Sequence, residues 1–416
     1  MKRNEIEDQK NIVYLKENYG KNILPLSLLE NERMIGTTPN EILLFYKKGT
    51  PISKLETSLL KASEYYNLFS SRLIMIGHNK FALQYCTDGI KINLLPPLDI
   101  TFDEINVDDI KKMMVHVKTL PGEPLLAVTG IPLKDGILGG ISCSHVIGDG
   151  ISVILFLYAW NCIVEGKTVI PPSNQRLFTG KPIDFNKTNK AFIPSLSELS
   201  DEIQNRVKRG NDDVKLYTKR EYFTEEFLNE IKKKAKAENP QYTISNNQII
   251  ISFLLKKYHN HILPGAEKIR LRNAISLREV YSEINPLFIG NAEFISMAEF
   301  TKDEIDTLSI YQIAYRLKES IRKIRDEDFV KNLLYLYEYG IEFNTDVFKK
   351  YYHSYNIDTD INSSNLTHLN DLESLGLSSN IGSILDIGLA TYASFMILKE
   401  KSGKIFTDIT GRYPFV

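Results

Sequence analysis

A histidine and an aspartate four residues apart carry the clearest chemistry in this sequence. They lie in the stretch SCSHVIGDG, residues 142–150, where His145 ends an apolar run and Asp149 is followed by Gly150. An unperturbed imidazole titrates near pH ~6.5, so it can take a proton from a hydroxyl or amine and return it to a leaving group. The spacing therefore allows His145 to act as a general acid–base.

The same residues allow a purely structural interpretation. Asp is a favoured N-cap residue, so Asp149 can begin the following apolar stretch as a helix while His145 only ends a strand. Glycines at 148 and 150 disfavour a continuous helix through the motif, so His145 and Asp149 are not expected to face each other. Asp149 is instead expected to hold the loop by pairing with a distant arginine.

Hydrophobic patterning predicts rigid elements on both sides of the motif. Two apolar runs joined by Asp135-Gly136 predict a hairpin whose second strand ends just before His145. Residues 151–164 are apolar on nearly every side, which predicts a helix buried in a core. Earlier in the chain, a strand over 41–48 precedes the amphipathic segment ISKLETSLLKASEYY. His145 is thus expected on a loop anchored by a strand and a helix.

The order of strand and helix recurs after an interval rich in prolines. Hydrophobic periodicity fades over about 168–215, and beyond it KLYTKREYF predicts a strand and TEEFLNEIKKKAKAE a helix. SNNQIIISFLLKKYH predicts a further helix, begun by Ser245 and Gln248 as a capping box. The sequence therefore predicts a mixed α/β protein with two domains.

Composition narrows the possible partners. The 416 residues carry 51 Lys+Arg and 52 Asp+Glu, so no global charge favours nucleic acid or an anionic membrane. The three cysteines form no CxxC pattern, which argues against a metal site and a disulfide. The N-terminus lacks the apolar core of a signal peptide, and no stretch approaches the ~20 apolar residues of a membrane span. A cytoplasmic protein with a small-molecule partner is expected.

The motif and its surroundings resemble the BAHD acyltransferases, coenzyme A-dependent enzymes whose signature is HxxxDG. LPLSLLE, LETSLLKASEYYNLFSSRL and QYCTDGIKI are similar to the family's opening LS-x-x-D, its first long helix and its ND-x-G strand. SLREVYSEINPLFIGNAEF is similar to the stretch R-x-x-x-P-x-x-x-x-GN, with Arg278, Pro286, Gly290 and Asn291 falling on it. The likeness covers nearly the whole chain.

This resemblance implies two similar chloramphenicol-acetyltransferase-like domains with a tunnel between them. Their expected extents are residues 1–175 and 216–416, joined by a crossover linker over 176–215. Acyl-CoA and the acceptor would enter the tunnel from opposite sides. The implied enzyme is a monomeric acyl-CoA-dependent O- or N-acyltransferase (EC 2.3.1) of secondary metabolism, with acyl-CoA as co-substrate and no permanently bound cofactor or metal.

The resemblance also assigns roles to single residues. His145 would be the general base of a direct transfer without an acyl-enzyme. Asp149, Gly150 and Arg278 would have structural roles, with Asp149 paired to Arg278. Coenzyme A contacts are expected from three more residues, Ser245, Asp386 and Gly388.

Two departures from family patterns bear on function. The family's DFGWG motif reads here Asp386-Ile387-Gly388-Leu389-Ala390, so that only Asp386 and Gly388 of the motif are kept. Ser144 stands where condensation domains carry a second histidine, which favours the BAHD family. Two alternatives remain open, namely condensation-type transfer from a carrier protein and a catalytically degenerate binding protein.

Overall fold

The computed structural model describes most of the chain. Its described residues are 23–173, 215–326, 356–367, 381–386 and 393–415, except 28, 31–38, 48, 50, 78–79, 242 and 401. The predicted crossover over 176–215 therefore lies outside the described residues except at Lys215, and Gly388 lies outside them too.

Strands and helices are intermixed along the described residues. The strands are β1 (Ile23–Pro25), β2 (Asn40–Lys47), β3 (Ser71–Gly77), β4 (Lys80–Tyr85), β5 (Ile90–Leu94), β6 (Leu126–Pro132), β7 (Gly136–Cys143), β8 (Tyr217–Phe223), β9 (Lys268–Ser276), β10 (Glu293–Thr301), β11 (Asp360–Asn365), β12 (Ile381–Asp386), β13 (Ser394–Lys399) and β14 (Ile405–Gly411). The helices are α1 (Ile52–Tyr65), α2 (Val107–Met113), α3 (Gly150–Val164), α4 (Glu225–Glu238), α5 (Asn246–Ile262), α6 (Lys302–Thr307) and α7 (Ile310–Ile324). The predicted mixed α/β class is confirmed.

The first half of the chain builds a sheet covered on both faces. Among the described residues, its strand order is β12-β2-β7-β6-β5, and β1, β4 and β3 form a smaller separate sheet. The predicted hairpin at Asp135-Gly136 is confirmed, because β6 and β7 pair antiparallel from Leu126↔Cys143 to Pro132↔Ile137. One face of the larger sheet packs against α1 and α3, and the other carries the apolar side chains of α2. The strand β7 is therefore held at the centre of a rigid layer.

The second half builds another sheet with helices on it. Its order within the described residues is β10-β9-β11-β13-β14-β8. The apolar sides of α4, α5 and α7 form one core with this sheet. The predicted capping box is present, since Ser245 accepts a hydrogen bond from the backbone N–H of Gln248 while the Gln248 side chain accepts from that of Ser245. The second predicted strand–helix cycle is thus confirmed.

One strand of the second half crosses into the first sheet. The strand β12 pairs antiparallel with β2, with Asp386 opposite Ile42. The C-terminal ends of β7 and β12 and the N-terminal end of β2 consequently lie at the same end of the first sheet. No local sequence pattern indicates this pairing, which joins the two halves next to the motif. Among the described residues, each helix is too short or too polar to span a lipid bilayer.

Candidate active site

His145 lies in the turn between the end of β7 and the start of α3. It is 8% exposed. The backbone N–H of Ser144 donates to the Leu125 carbonyl at 2.8 Å, and the Ser144 hydroxyl accepts from the Val146 N–H at 3.2 Å. From the second half, Asn291 Nδ2 donates to the His145 carbonyl at 2.6 Å. The histidine is therefore a buried group whose backbone is held from both halves.

Asp149 fulfils the structural expectation as well as the resemblance. It is the N-cap of α3, where its Oδ1 accepts from the Ser152 N–H at 2.9 Å. The same carboxylate accepts two hydrogen bonds from Arg278, from Nη1 to Oδ2 at 2.6 Å and from Nη2 to Oδ1 at 3.1 Å. Both side chains are almost fully buried, at 3% and 5% exposed. The expected pairing of Asp149 with Arg278 is present and joins the two halves at the motif.

The protonation of Asp149 follows from its surroundings. Burial alone would raise the pKa of Asp149, but the Arg278 charge and its hydrogen bonds, with those from the Ala292 and Ser152 N–H groups, outweigh burial and hold the pKa below its usual value. The carboxylate is thus ionised at neutral pH. Its hydrogen-bond donors are Arg278, Ser152 and the backbone of Ala292, so its bonding capacity is taken up away from the His145 ring.

The segment from Gly290 to Ala292 fits directly against the motif. The Asp149 N–H donates to the Gly290 carbonyl at 3.2 Å, and the Ala292 N–H donates back to Asp149 Oδ2 at 2.9 Å. Gly290 has φ +131°, and a Cβ there would lie 2.9 Å from Oε1 of the buried Glu30 and 2.9 Å from the Phe288 ring. Glycine is therefore required at 290 by both its conformation and the space around it.

Ser152 connects these groups, and the sequence did not identify it. Its hydroxyl lies 2.9 Å from Asp149 Oδ1 and 2.8 Å from the Gly290 carbonyl, to which it can donate. It accepts from the Gly290 N–H and from Arg278 Nη2, each at 3.1 Å. The available signal was its place three residues after an N-cap aspartate, where a hydroxyl lies beside the capping carboxylate.

The two glycines of the motif differ in what they require. A Cβ at Gly148 would lie 2.7 Å from the Ser152 Cβ, so this glycine allows the close approach of the turn to the helix. A Cβ at Gly150 would meet nothing within 4 Å. The structural role expected of Gly150 therefore does not come from tight packing around its α-carbon. Gly148 is the position where a larger side chain would clash.

The residues expected to contact coenzyme A are spread over two places. Asp386 is the last residue of β12 and lies at the end of the sheet where β7 leads into the motif. Ser245 caps α5 in the second half. Gly388 lies outside the described residues. Within the described part of the chain, no group of three or more His, Cys, Asp or Glu side chains could hold a metal ion.

Comparison with known proteins identifies a family and a relative that the chain matches. The model of the Transferase family matches residues 6–353. An uncharacterized acetyltransferase of Arabidopsis thaliana is 23% identical over 323 residues, which cover 69% of this chain and 68% of that protein.

Two crystal structures share the fold over nearly the whole chain. F. graminearum TRI101 in complex with coenzyme A and T-2 mycotoxin has a TM-score of 0.69 at 14% identity, covering 94% of this chain and 95% of that chain. Vinorine synthase has a TM-score of 0.66 at 15% identity, covering 94% and 90%. The family match, the acetyltransferase relative and the shared fold agree, and the chain belongs to the Transferase family, that of the BAHD acyltransferases.

Proposed function

We propose that this acyltransferase moves an acyl group from acyl-CoA to a hydroxyl or amine of a small-molecule acceptor, with His145 as the general base. The position of His145 is the observation that carries the proposal. It is a buried imidazole at the meeting point of the two halves, on a turn fixed by both. A rigidly supported base is what a direct transfer between two bound substrates needs.

The reaction follows from ordinary proton transfer. A ring nitrogen of His145 takes the proton of the acceptor O–H or N–H while the acceptor atom attacks the thioester carbonyl carbon. The tetrahedral intermediate then breaks its C–S bond and leaves an ester or amide. His145 returns its proton to the departing sulfur, so coenzyme A leaves as the free thiol and the base is restored. No bond forms between the acyl group and the protein.

Asp149 acts in this proposal by positioning the loop. In a triad, a carboxylate orients the histidine by accepting from its ring N–H. Here the carboxylate oxygens accept from Arg278, Ser152 and Ala292. Removing the carboxylate would therefore displace the turn that carries His145 rather than change the basicity of its ring.

The identity of the substrates rests on family and neighbours. TRI101 is a structural neighbour that binds coenzyme A together with a small molecule, T-2 mycotoxin. By analogy, acyl-CoA would enter a tunnel between the two halves, with Ser245, Asp386 and Gly388 contributing to its binding. Asp386, which is kept from the DFGWG pattern, lies at the same end of the sheet as the motif, and this supports an acyl-CoA site beside His145.

Thiol release tests the proposal and its alternatives together. The full-length protein is incubated with a panel of acyl-CoA thioesters and with acyl-loaded carrier protein, each with alcohols and amines, and products are identified by mass spectrometry. We expect acceptor-dependent release of free coenzyme A with an ester or amide product. Turnover with carrier protein alone would assign a condensation-type enzyme. Binding of acyl-CoA without any turnover would assign a degenerate binding protein.

A further inference from the structure

We infer that Asn291 is a positioning residue, which sets the direction of His145 through the backbone from across the boundary between the two halves. This inference rests on the proposed function of His145 as a base. Its physical content is one hydrogen bond, from the Asn291 side-chain amide to the His145 carbonyl at 2.6 Å. Asn291 is 1% exposed, so water cannot replace that bond.

The donor end of the Asn291 amide carries the contact. Nδ2 bonds the His145 carbonyl, whereas Oδ1 has no hydrogen-bond partner among the described residues. A buried amide that satisfies only its donor end is held for the bond it makes. The two ends therefore have separable consequences, which Asn291→Asp can resolve above the pKa of the new carboxyl, because an ionised carboxylate keeps the shape and has no donor.

The support of Asn291 is itself rigid. Its neighbour Gly290 bonds Ser152 through its N–H and accepts from Ser152 and Asp149 through its carbonyl. On the other side, the Ala292 N–H donates to Asp149. Asn291 is thus fixed by its flanking residues to the same loop whose carbonyl it holds, and β10 begins directly afterwards.

Fixing a carbonyl fixes a side chain. A peptide unit is planar, so holding the His145 oxygen sets the ψ angle of His145 and with it the direction of its Cα–Cβ bond. The turn has one backbone bond of its own, from the Ile147 N–H to the Ser144 carbonyl at 3.2 Å, which limits this angle, and the Asn291 bond narrows it further. A displacement of about 1 Å at a reacting group can cost about 10²-fold in rate. Asn291 therefore adds to the turn's own hydrogen bond a second constraint on the direction of His145.

Steady-state kinetics on Asn291→Asp and Asn291→Ala test the inference. We expect both variants to lower kcat by about 10- to 100-fold with the KM of both substrates changed less than about threefold, because positioning affects the transition state and not binding. Asn161→Ala is the matched control, since Asn161 is fully buried in α3 and its amide makes no hydrogen bond to any described residue. This control should keep the wild-type kcat.

Several results would overturn the inference. Retained kcat in Asn291→Asp at a pH where the new carboxyl is ionised, with a loss in Asn291→Ala, would show that the oxygen matters and the donor does not. A rise in KM alone would make Asn291 a substrate-binding residue. A lower melting temperature with unchanged kcat would make it merely structural.

A readout without substrate separates this inference from the proposed function. His145 is one of seven histidines, and its ring signals can be assigned in ¹H–¹³C spectra by their loss in His145→Gln. We expect these signals to shift or broaden in both Asn291 variants while those of the other histidines stay in place. If the His145 signals move in the Asn291 variants but the wild-type protein releases no coenzyme A, the proposed function is refuted and the positioning role stands. Unmoved His145 signals would refute the positioning role.

Discussion

Two buried aspartates, Asp149 and Asp360, are each paired with arginine, yet they lie in different settings. Asp149 meets Arg278, 129 positions away, where the turn after β7 touches the second half. Asp360 meets Arg270 at 2.5 Å and Arg272 at 3.6 Å, on neighbouring strands of one sheet. The first pair places a loop that carries His145, whereas the second reinforces the register of β11 on β9.

The surroundings of the two aspartates explain why similar aspartate–arginine ion pairs have different structural roles. The arginine partner of Asp149 is 5% exposed, and the carboxylate also accepts from the backbone of Ser152 and Ala292. The partner Arg270 is 22% exposed and lies in a regular ladder that already fixes its backbone. A loop has no such ladder, so its position depends on the ion pair at Asp149 and on the hydrogen bonds around that pair.

Replacing each aspartate by asparagine should separate the two uses. Removing one partner of a buried pair costs up to ~3–5 kcal/mol of unfolding free energy, so both variants should be destabilised. Only Asp149→Asn should also lose kcat, by about 10²-fold, because only it displaces the turn that carries His145. Denaturant unfolding and kcat per folded molecule measure the two effects. Equal kcat losses in both variants would erase the distinction.

A double-mutant cycle sharpens the claim that Asp149 and Arg278 act as one unit. Once Asp149→Asn has removed the charge, Arg278→Gln should cost less than it does alone, giving an interaction energy of roughly 1–3 kcal/mol. Thermal and denaturant unfolding of both single variants and the double variant provide the test. Strict additivity would mean that the two side chains do not interact energetically in solution.

Acid should reveal the Asp149 contribution through its lowered pKa. The folded pKa lies below the ordinary unfolded value of about 3.9, so the stabilisation is complete well above that pH and is lost as pH falls through the folded pKa. The stability gap between wild type and Asp149→Asn should therefore narrow from pH 5 to pH 3, as measured by urea unfolding. A gap that widens in acid would contradict the sign of the shift.

An exposed pair should show the smallest effect. Arg220 and Asp408 pair across β8 and β14 with side chains 45% and 25% exposed. Such pairs contribute about 0–1 kcal/mol, and salt weakens them further. Asp408→Asn should therefore change the unfolding free energy by less than about 1 kcal/mol, with unchanged kcat. A loss as large as that of Asp149→Asn would show that burial is not what separates the pairs.

Local features of the fold could be predicted from the sequence, and distant ones could not. The hairpin at Asp135-Gly136 and the capping box at Ser245 follow from interactions within a few residues, and both are present. The strand β12 enters the first sheet through pairing across more than 300 residues, which no local pattern encodes.

The candidate site divides in the same way. HxxxDG marked His145 and Asp149, and family resemblance supplied Arg278 as a partner. The Ser152 hydroxyl and the Asn291 amide became evident only when the two halves were seen together, since each acts across more than 100 residues of chain. The motif therefore marks His145, the proposed base, but not the residues that we propose position it.

The central claim is that His145 is the base of acyl transfer, and its removal tests this most directly. Coenzyme A release is measured for wild type, His145→Ala and the control His261→Gln, whose imidazole stacks on Phe415 at the C-terminal end of α5. A positioned base contributes about 10²–10⁴-fold, so His145→Ala should lose that much turnover while its melting temperature stays near wild type. His261→Gln should retain full activity. An unchanged rate in His145→Ala would contradict the account.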